Sequence, residues 1–126
     1  MDMSNISVKP SGAALGAEIH GLDLAQPLGD SEIAALRQAL HEHLVIAIPG
    51  QTLTPAQTAE FCRRFGPITR HILDQFYHPE EPDLCIISNV VESGKGRTTA
   101  RMAGSYWHSD LSYIAEPVDA SMLYAI

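Results

Sequence analysis

Residues 6 to 24 alternate apolar with polar or small side chains, most clearly at Ala17, Glu18, Ile19 and His20, around Gly12, Gly16 and Gly21. A period of two broken by glycines predicts short strands joined by glycine turns. Pro27, Gly29 and Asp30 then open a helix. Ile33, Leu36, Leu40 and Leu44 fall at i, i+3, i+7 and i+11 and make one apolar face, while Glu32, Arg37, Gln38 and Glu42 stay in water. The helix runs into an apolar strand, Leu44 to Ile48, which Pro49-Gly50 closes. A second helix carries the clearest punctuation: Thr54 as N-cap, Pro55 at the first helical position, Gln57 three residues after the cap, and Gly66-Pro67 as the stop.

After Pro67 the pattern turns to strand and loop. It predicts strands at Ile68 to Phe76 and Leu84 to Ser88 about a turn at Pro79 to Asp83. A loop from Val91 to Gly104, bearing Lys95, Arg97 and Arg101 without apolar periodicity, follows. Two more strands are expected, Tyr106 to Tyr113 and Ala120 to Ile126, on either side of the Glu116-Pro117 turn. Helices early and strands late give an α+β chain, mainly β in its second half. The last run, Ser121 to Ile126, ends without turn, cap or polar tail, so the chain reads as truncated at its C-terminus.

Composition narrows the class. With 126 residues, 45% of them hydrophobic and 18% charged, the chain fits one soluble globular domain. Eight Lys and Arg against fifteen Asp and Glu leave a formal charge of -7 and no basic cluster, which argues against nucleic acid as a partner. No apolar run approaches the roughly 18 residues of a membrane span. Met1 to Pro10 lacks the basic and apolar blocks of a secretory signal, and the expected location is the cytoplasm. Cys62 and Cys85 are too few and too far apart for a disulfide framework or a metal knuckle and read as small buried hydrophobes. A small-molecule partner is expected, and a homo-oligomer stays open.

The stretch Trp107-His108-Ser109-Asp110 is the most informative for chemistry. On a strand, residues two apart share a face, so His108 and Asp110 are placed to bind one ion together. An imidazole and a carboxylate are two thirds of the facial triad that holds non-haem Fe(II) and leaves positions open. The plainer alternative is a core histidine hydrogen-bonded to a nearby carboxylate. The same alternation puts Tyr106 on the face of His108 and Asp110 and turns Trp107 into the scaffold. His41 and His43 flank Glu42 near a helix end, where i and i+2 do not face each other. His20 and His78 sit beside turns and read as solvated. Gly94-Lys95-Gly96-Arg97-Thr98-Thr99 lacks the first glycine of a phosphate loop, since position 89 is Asn, and no Ser or Thr directly follows Lys95.

Three blocks in order, Arg64-Phe65-Gly66-Pro67, Ile87-Ser88-Asn89-Val90 and Trp107-His108-Ser109-Asp110-Leu111-Ser112-Tyr113, resemble the taurine dioxygenase and 2,4-dichlorophenoxyacetate dioxygenase family. The segments Gly16 to Leu24 and His43 to Gln51 look like the opening strand, helix and strand of that family, so the resemblance spans essentially the whole chain. It implies a double-stranded β-helix, or jelly-roll, with flanking N-terminal helices, residues 1 to 126 being the N-terminal part of a single dioxygenase domain. It implies Fe(II) as the metal and 2-oxoglutarate and O2 as cosubstrates, with a C–H bond hydroxylated as succinate and CO2 are released. By the same carry-over His108 and Asp110 are the first two iron ligands and catalytic residues, and His71 contacts an anionic substrate group, a carboxylate or a sulfonate. Tyr106 packs over the cosubstrate or hydrogen-bonds it, or else is itself oxidised when substrate is absent. The third iron ligand, the Arg that clamps 2-oxoglutarate and a supporting Thr fall past residue 126. Tyr106 stands where taurine dioxygenase has Asn, and Asp74 where it has a substrate-contacting Tyr, which argues against taurine itself. The competing class is a jelly-roll binding or regulatory module that kept the scaffold and lost turnover.

Overall fold

The computed structural model describes residues 5–70, 76–88 and 106–126. The chain divides into two compact units, residues 1–66 and 67–126. In the first unit the element order is β1 (Ser7–Pro10), β2 (Ala17–His20), α1 (Asp30–His43), β3 (Ile46–Ala47) and α2 (Pro55–Arg63). The strands form one mixed sheet in the order β1-β2-β3. β1 pairs antiparallel with β2, Val8 opposite Ile19, and β2 pairs parallel with β3, Ala17 opposite Ile46.

The glycine turns expected between the first strands are present. Ser11 closes the β1–β2 connection, its N–H donating to the Gly16 carbonyl at 2.9 Å and its hydroxyl to the Leu15 carbonyl at 2.7 Å. At Gly21 the chain turns with φ +87° so close to Asn5 that an added Cβ would lie 1.7 Å from the Asn5 carbonyl oxygen. Only glycine meets both demands.

α1 begins where Pro27, Gly29 and Asp30 predicted. Gly29 has no side chain to cap with, so the cap runs in reverse: the Glu32 carboxylate accepts from the Gly29 N–H at 2.6 Å. Its apolar face is Ile33, Leu36 and Ala39, all buried, with Leu40 half-buried. Leu44 departs from the expected face. It is the C-cap residue, in the left-handed region at φ +66° and 67% exposed, with its N–H still donating to the Leu40 carbonyl at 2.8 Å. The strand expected over Leu44 to Ile48 therefore shrinks to Ile46–Ala47, because its first residue is spent leaving the helix. Hydrogen bonds from Gly16 N–H to the His43 carbonyl (2.8 Å) and from Ala17 N–H to the Val45 carbonyl (3.0 Å) tie this exit to β2 and occupy carbonyls the helix end leaves unpaired.

α2 follows its punctuation. The Thr54 hydroxyl accepts from Gln57 N–H at 3.2 Å and the Gln57 side chain accepts from Thr54 N–H at 2.9 Å, a complete capping box with Pro55 at the first position. Thr58, buried on this helix, returns its hydroxyl to the Thr54 carbonyl at 2.9 Å, so no donor is stranded. Ile19, Leu24, Ile33, Leu36, Ala39 and Phe61 form the core, with Leu22, Leu28, Ile46, Ile48 and Phe65 packed against it. Gln51 stitches two loops to it, accepting from Leu24 N–H at 2.8 Å and donating to the Leu22 carbonyl at 3.0 Å.

The Arg64-Phe65-Gly66 block has a structural task in this unit. Arg64 donates to the Leu28 carbonyl at 2.6 Å and to Asp30 Oδ1 at 2.7 Å, which pins the end of α2 to the start of α1. Phe65 meets Phe61 edge-on at 5.3 Å, with the Arg37 guanidinium 5.4 Å from its ring centre.

The second unit departs more from expectation. Tyr77 and Cys85 form an isolated antiparallel bridge about the predicted Pro79 to Asp83 turn, flanked by His78 N–H to Leu84 carbonyl (2.8 Å) and Ile86 N–H to Phe76 carbonyl (2.7 Å). The strands expected at Tyr106 to Tyr113 and Ala120 to Ile126 are not formed: Asp110 to Tyr113 turn, and residues 120–126 make no ladder among the described residues. Extended backbone becomes a strand only when a neighbour takes up its N–H and C=O groups. The mainly β second half and the jelly-roll are thus not visible among the described residues, where regular structure consists of the three strands and two helices above. Of the strand expected at Ile68 to Phe76, the described residues Ile68, Thr69, Arg70 and Phe76 are not in a strand and residues 71–75 lie outside the described residues, as does the loop Val91 to Gly104 with its Gly94 to Thr99 stretch.

Cys62 is half-buried, and burial raises its thiol above the ordinary 9.0 against the opposing charge of Arg63. Cys85 is exposed, contrary to expectation, as is Ile87 two residues on. Desolvation raises its thiol as well, so both stay protonated and unreactive near neutrality. No helix of the described residues is long and apolar enough to cross a membrane.

Candidate functional site

The segment Tyr106 to Tyr113 brings His108 and Asp110 together, although not through strand alternation. Tyr106 to Ser109 run without regular structure, Asp110 enters a turn, and Leu111 takes the left-handed region at φ +49° before Ile114 N–H closes on the Leu111 carbonyl at 3.2 Å. A leucine in that region is strained, because its Cβ crowds the following carbonyl. The turn directs the Asp110 side chain back along the chain, and Asp110 Oδ1 lies 3.2 Å from His108 Nε2, both side chains about half exposed.

The other imidazole nitrogen is also engaged. His108 Nδ1 stands 2.9 Å from the Tyr106 carbonyl oxygen, which only accepts, so Nδ1 carries the proton. Asp110 Oδ1 is an acceptor, so its 3.2 Å contact with Nε2 is made through a proton on that nitrogen; a metal bound there would replace that proton while the Tyr106 carbonyl keeps the ring oriented, as outer partners do for metal-binding histidines. The Tyr106 carbonyl is the largest influence raising the His108 pKa above its ordinary 6.5. Desolvation opposes it, and the charge and hydrogen bond of Asp110 add to it. The second oxygen of Asp110, Oδ2, accepts from the Ser121 hydroxyl at 2.7 Å. Two donors bound to one ion at about 2.1 Å and at right angles stand about 3 Å apart, so Nε2 and Oδ1 fit adjacent positions on a small divalent metal.

Tyr106 lies beside the site, its ring centre 6.4 Å from that of His108 and edge-on to it. Trp107 does not pack into a scaffold: it is 103% exposed, since no strand forms to turn it inward. His71 and Asp74 lie outside the described residues, as do Asn89 and Val90. Among the described residues no group of three His, Cys, Asp or Glu could hold a metal ion. His20 pairs with Glu18 at 3.1 Å on the exposed side of β2, and His78 Nδ1 accepts from Glu80 N–H at 3.1 Å. Neither histidine belongs to the site. Sequence reasoning missed Ser121, for which an 11-residue separation from Asp110 gives no periodic signal; only the Glu116-Pro117 turn hints that the chain doubles back.

A sequence profile described as "Taurine catabolism dioxygenase TauD, TfdA family" matches residues 7–126. The chain belongs to this family. Among its curated relatives, pentalenolactone F synthase of Streptomyces arenae is 30% identical over 116 residues, 91% of this chain and 39% of that protein. The alpha-ketoglutarate-dependent 2,4-dichlorophenoxyacetate dioxygenase of Cupriavidus pinatubonensis is 28% identical, over 97% of this chain and 46% of its own length. The chain thus spans less than half the length of either TauD/TfdA relative. A crystal structure of a taurine dioxygenase from Burkholderia xenovorans superposes with a TM-score of 0.61 at 36% identity, covering 70% of this chain and 31% of that one. Over that part the chain shares the fold of the taurine dioxygenase structure.

Proposed function

We propose that these residues belong to an Fe(II)- and 2-oxoglutarate-dependent dioxygenase that hydroxylates a small anionic organic molecule and releases succinate and CO2. The carrying observation is the convergence of His108 Nε2 and Asp110 Oδ1 at 3.2 Å, inside the WHSD block of a family member. His108 and Asp110 would hold the iron, which would supply the redox chemistry toward O2 that no side chain of this site performs alone.

The chain's own residues set up the rest. The Tyr106 carbonyl holds the proton on Nδ1, which makes Nε2 the nitrogen that would meet a metal, and the Asp110 carboxylate contributes a negative charge that favours a divalent cation. The edge-on approach of Tyr106 to His108 supports a role in which its side chain packs over the cosubstrate or hydrogen-bonds it. His71 is assigned to the anionic group of the substrate, to which an imidazole donates a hydrogen bond whether protonated or neutral. A carboxylate or a sulfonate suits that group, as in the phenoxyacetate and taurine of the relatives' names. Residues 1–126 form the N-terminal part of one jelly-roll dioxygenase domain, placed in the cytoplasm.

The test is succinate release coupled to O2 uptake, measured over a panel of small carboxylates and sulfonates with the full natural protein that carries these residues. His108→Ala and Asp110→Ala reduce coupled turnover to the blank. His71→Ala raises KM while iron stays bound. A binding module would bind panel members and release no succinate, and a His71→Ala protein that lost iron as fully as His108→Ala would remove the role given to His71.

A further inference from the structure

We propose that Ser121 is a positioning residue for Asp110, fixing which carboxylate oxygen faces His108; the proposal rests on the iron reading above. The two oxygens of an aspartate are chemically equivalent and exchange by a half-turn about the last side-chain bond. Here they have different surroundings. Oδ2 accepts from the Ser121 hydroxyl at 2.7 Å, in the short range typical of an O–H donor on a charged acceptor, while Oδ1 stands 3.2 Å from Nε2.

This division governs how the carboxylate can bind. With Oδ2 turned to Ser121, Oδ1 is the oxygen that faces Nε2 and would meet a cation there, which favours binding through one oxygen. Each carboxylate oxygen has two lone pairs, so the Ser121 hydrogen bond acts by fixing the rotation of the carboxylate and drawing electron density from Oδ2, which makes Oδ2 the poorer donor to a cation. A site with two cosubstrates needs its remaining positions open, and a carboxylate that spread over two would close one of them. His108 is fixed by the same principle from the other side, through Nδ1 and the Tyr106 carbonyl. Each donor is thus oriented by a second partner, one local and one contributed by the chain returning after Pro117.

Ser121 is exposed, so its replacement leaves packing intact and isolates the hydrogen bond. The experiment is an anaerobic Fe(II) titration of the full natural protein, with Co(II) as a spectroscopic probe, on the parent and on Ser121→Ala, Ser121→Thr, His108→Ala and Asp110→Ala. Ser121→Ala is expected to weaken Fe(II) binding about tenfold, the lower end of what losing an outer partner of a metal ligand costs. It is also expected to shift the visible Co(II) bands, which report the ligand set and which a purely structural role leaves in place. Ser121→Thr keeps the hydroxyl and should match the parent in both. Parental affinity or an unshifted Co(II) spectrum in Ser121→Ala overturns the proposal, and so does a Thr variant as weak as Ala. The His108 and Asp110 variants separate the two levels. If either binds Fe(II) like the parent, the iron reading itself fails; if both lose it while Ser121→Ala does not, only the role of Ser121 falls.

Discussion

Gly21 shows how much one residue constrains. Its φ of +87° disfavours any side chain, and the Asn5 carbonyl oxygen occupies the place where a Cβ would stand. Gly21→Ala should therefore destabilise the protein by about 1–3 kcal/mol, the usual cost of a residue forced into a sparsely populated backbone region, seen as a lower urea midpoint. Gly12, with φ +80° and nothing within 4 Å of its added Cβ, is the control: alanine there meets the backbone penalty without the clash and should cost less. Equal midpoints for the two variants would show that the Asn5 contact is not what fixes Gly21. At this scale the sequence is informative about punctuation and partly about chemistry. Glycine at positions 12, 16 and 21 announces the turns, and the spacing of His108 and Asp110 announces their nearness, because two residues apart keeps them close in almost any extended backbone. It misassigned Trp107 and Cys85, since exposure depends on which neighbours cover a face and not on the side chain's own polarity.

Elements were legible where their signals are local. The bounds of α2 follow from Thr54, Pro55, Gln57 and Gly66, and the capping bonds between Thr54 and Gln57 close within the first turn, while Gln57 Nε2 also reaches the Ala25 carbonyl at 3.2 Å. Thr54→Ala should cost about 1 kcal/mol, the usual value for a lost N-cap. The exit of α1 is the less expected feature, because leucine at φ +66° occupies a position that glycine most often takes. Leu44 is largely exposed and has little packing to lose, so Leu44→Gly should raise stability by up to about 1 kcal/mol despite the added freedom of the unfolded chain. Chemical denaturation of the two variants side by side checks both signs, and a Leu44→Gly protein less stable than the parent would show that the side chain contributes packing worth more than the strain. The expected strands at Tyr106 to Tyr113 and Ala120 to Ile126 had the right composition, but a strand is a relation between segments, and composition does not supply the partner.

For the molecule as a whole, the core lies among residues 6 to 65 and the candidate metal ligands among residues 108 to 110, in different compact units. Among the described residues His108 and Asp110 converge without a third His, Cys, Asp or Glu beside them, and a pair of donors binds a divalent ion more weakly than a triad. The 126-residue chain purified by itself should accordingly yield no succinate from 2-oxoglutarate above a metal-free blank; yield that depends on His108 would show that two ligands suffice. What the sequence by itself determined are features whose energetics close within a few residues: the capping box, the apolar face of α1, the glycine turns, and the nearness of His108 to Asp110. What only the tertiary structure decided are contacts across long separations, namely the parallel pairing of β2 with β3, Gln51 on Leu22 and Leu24, Arg64 on Leu28 and Asp30, and Ser121 on Asp110. Each of these is one of many pairings a polar or extended residue could make. The choice falls to whichever lets the whole chain bury its apolar faces and satisfy its donors at once, a condition that leaves no periodic trace in the sequence.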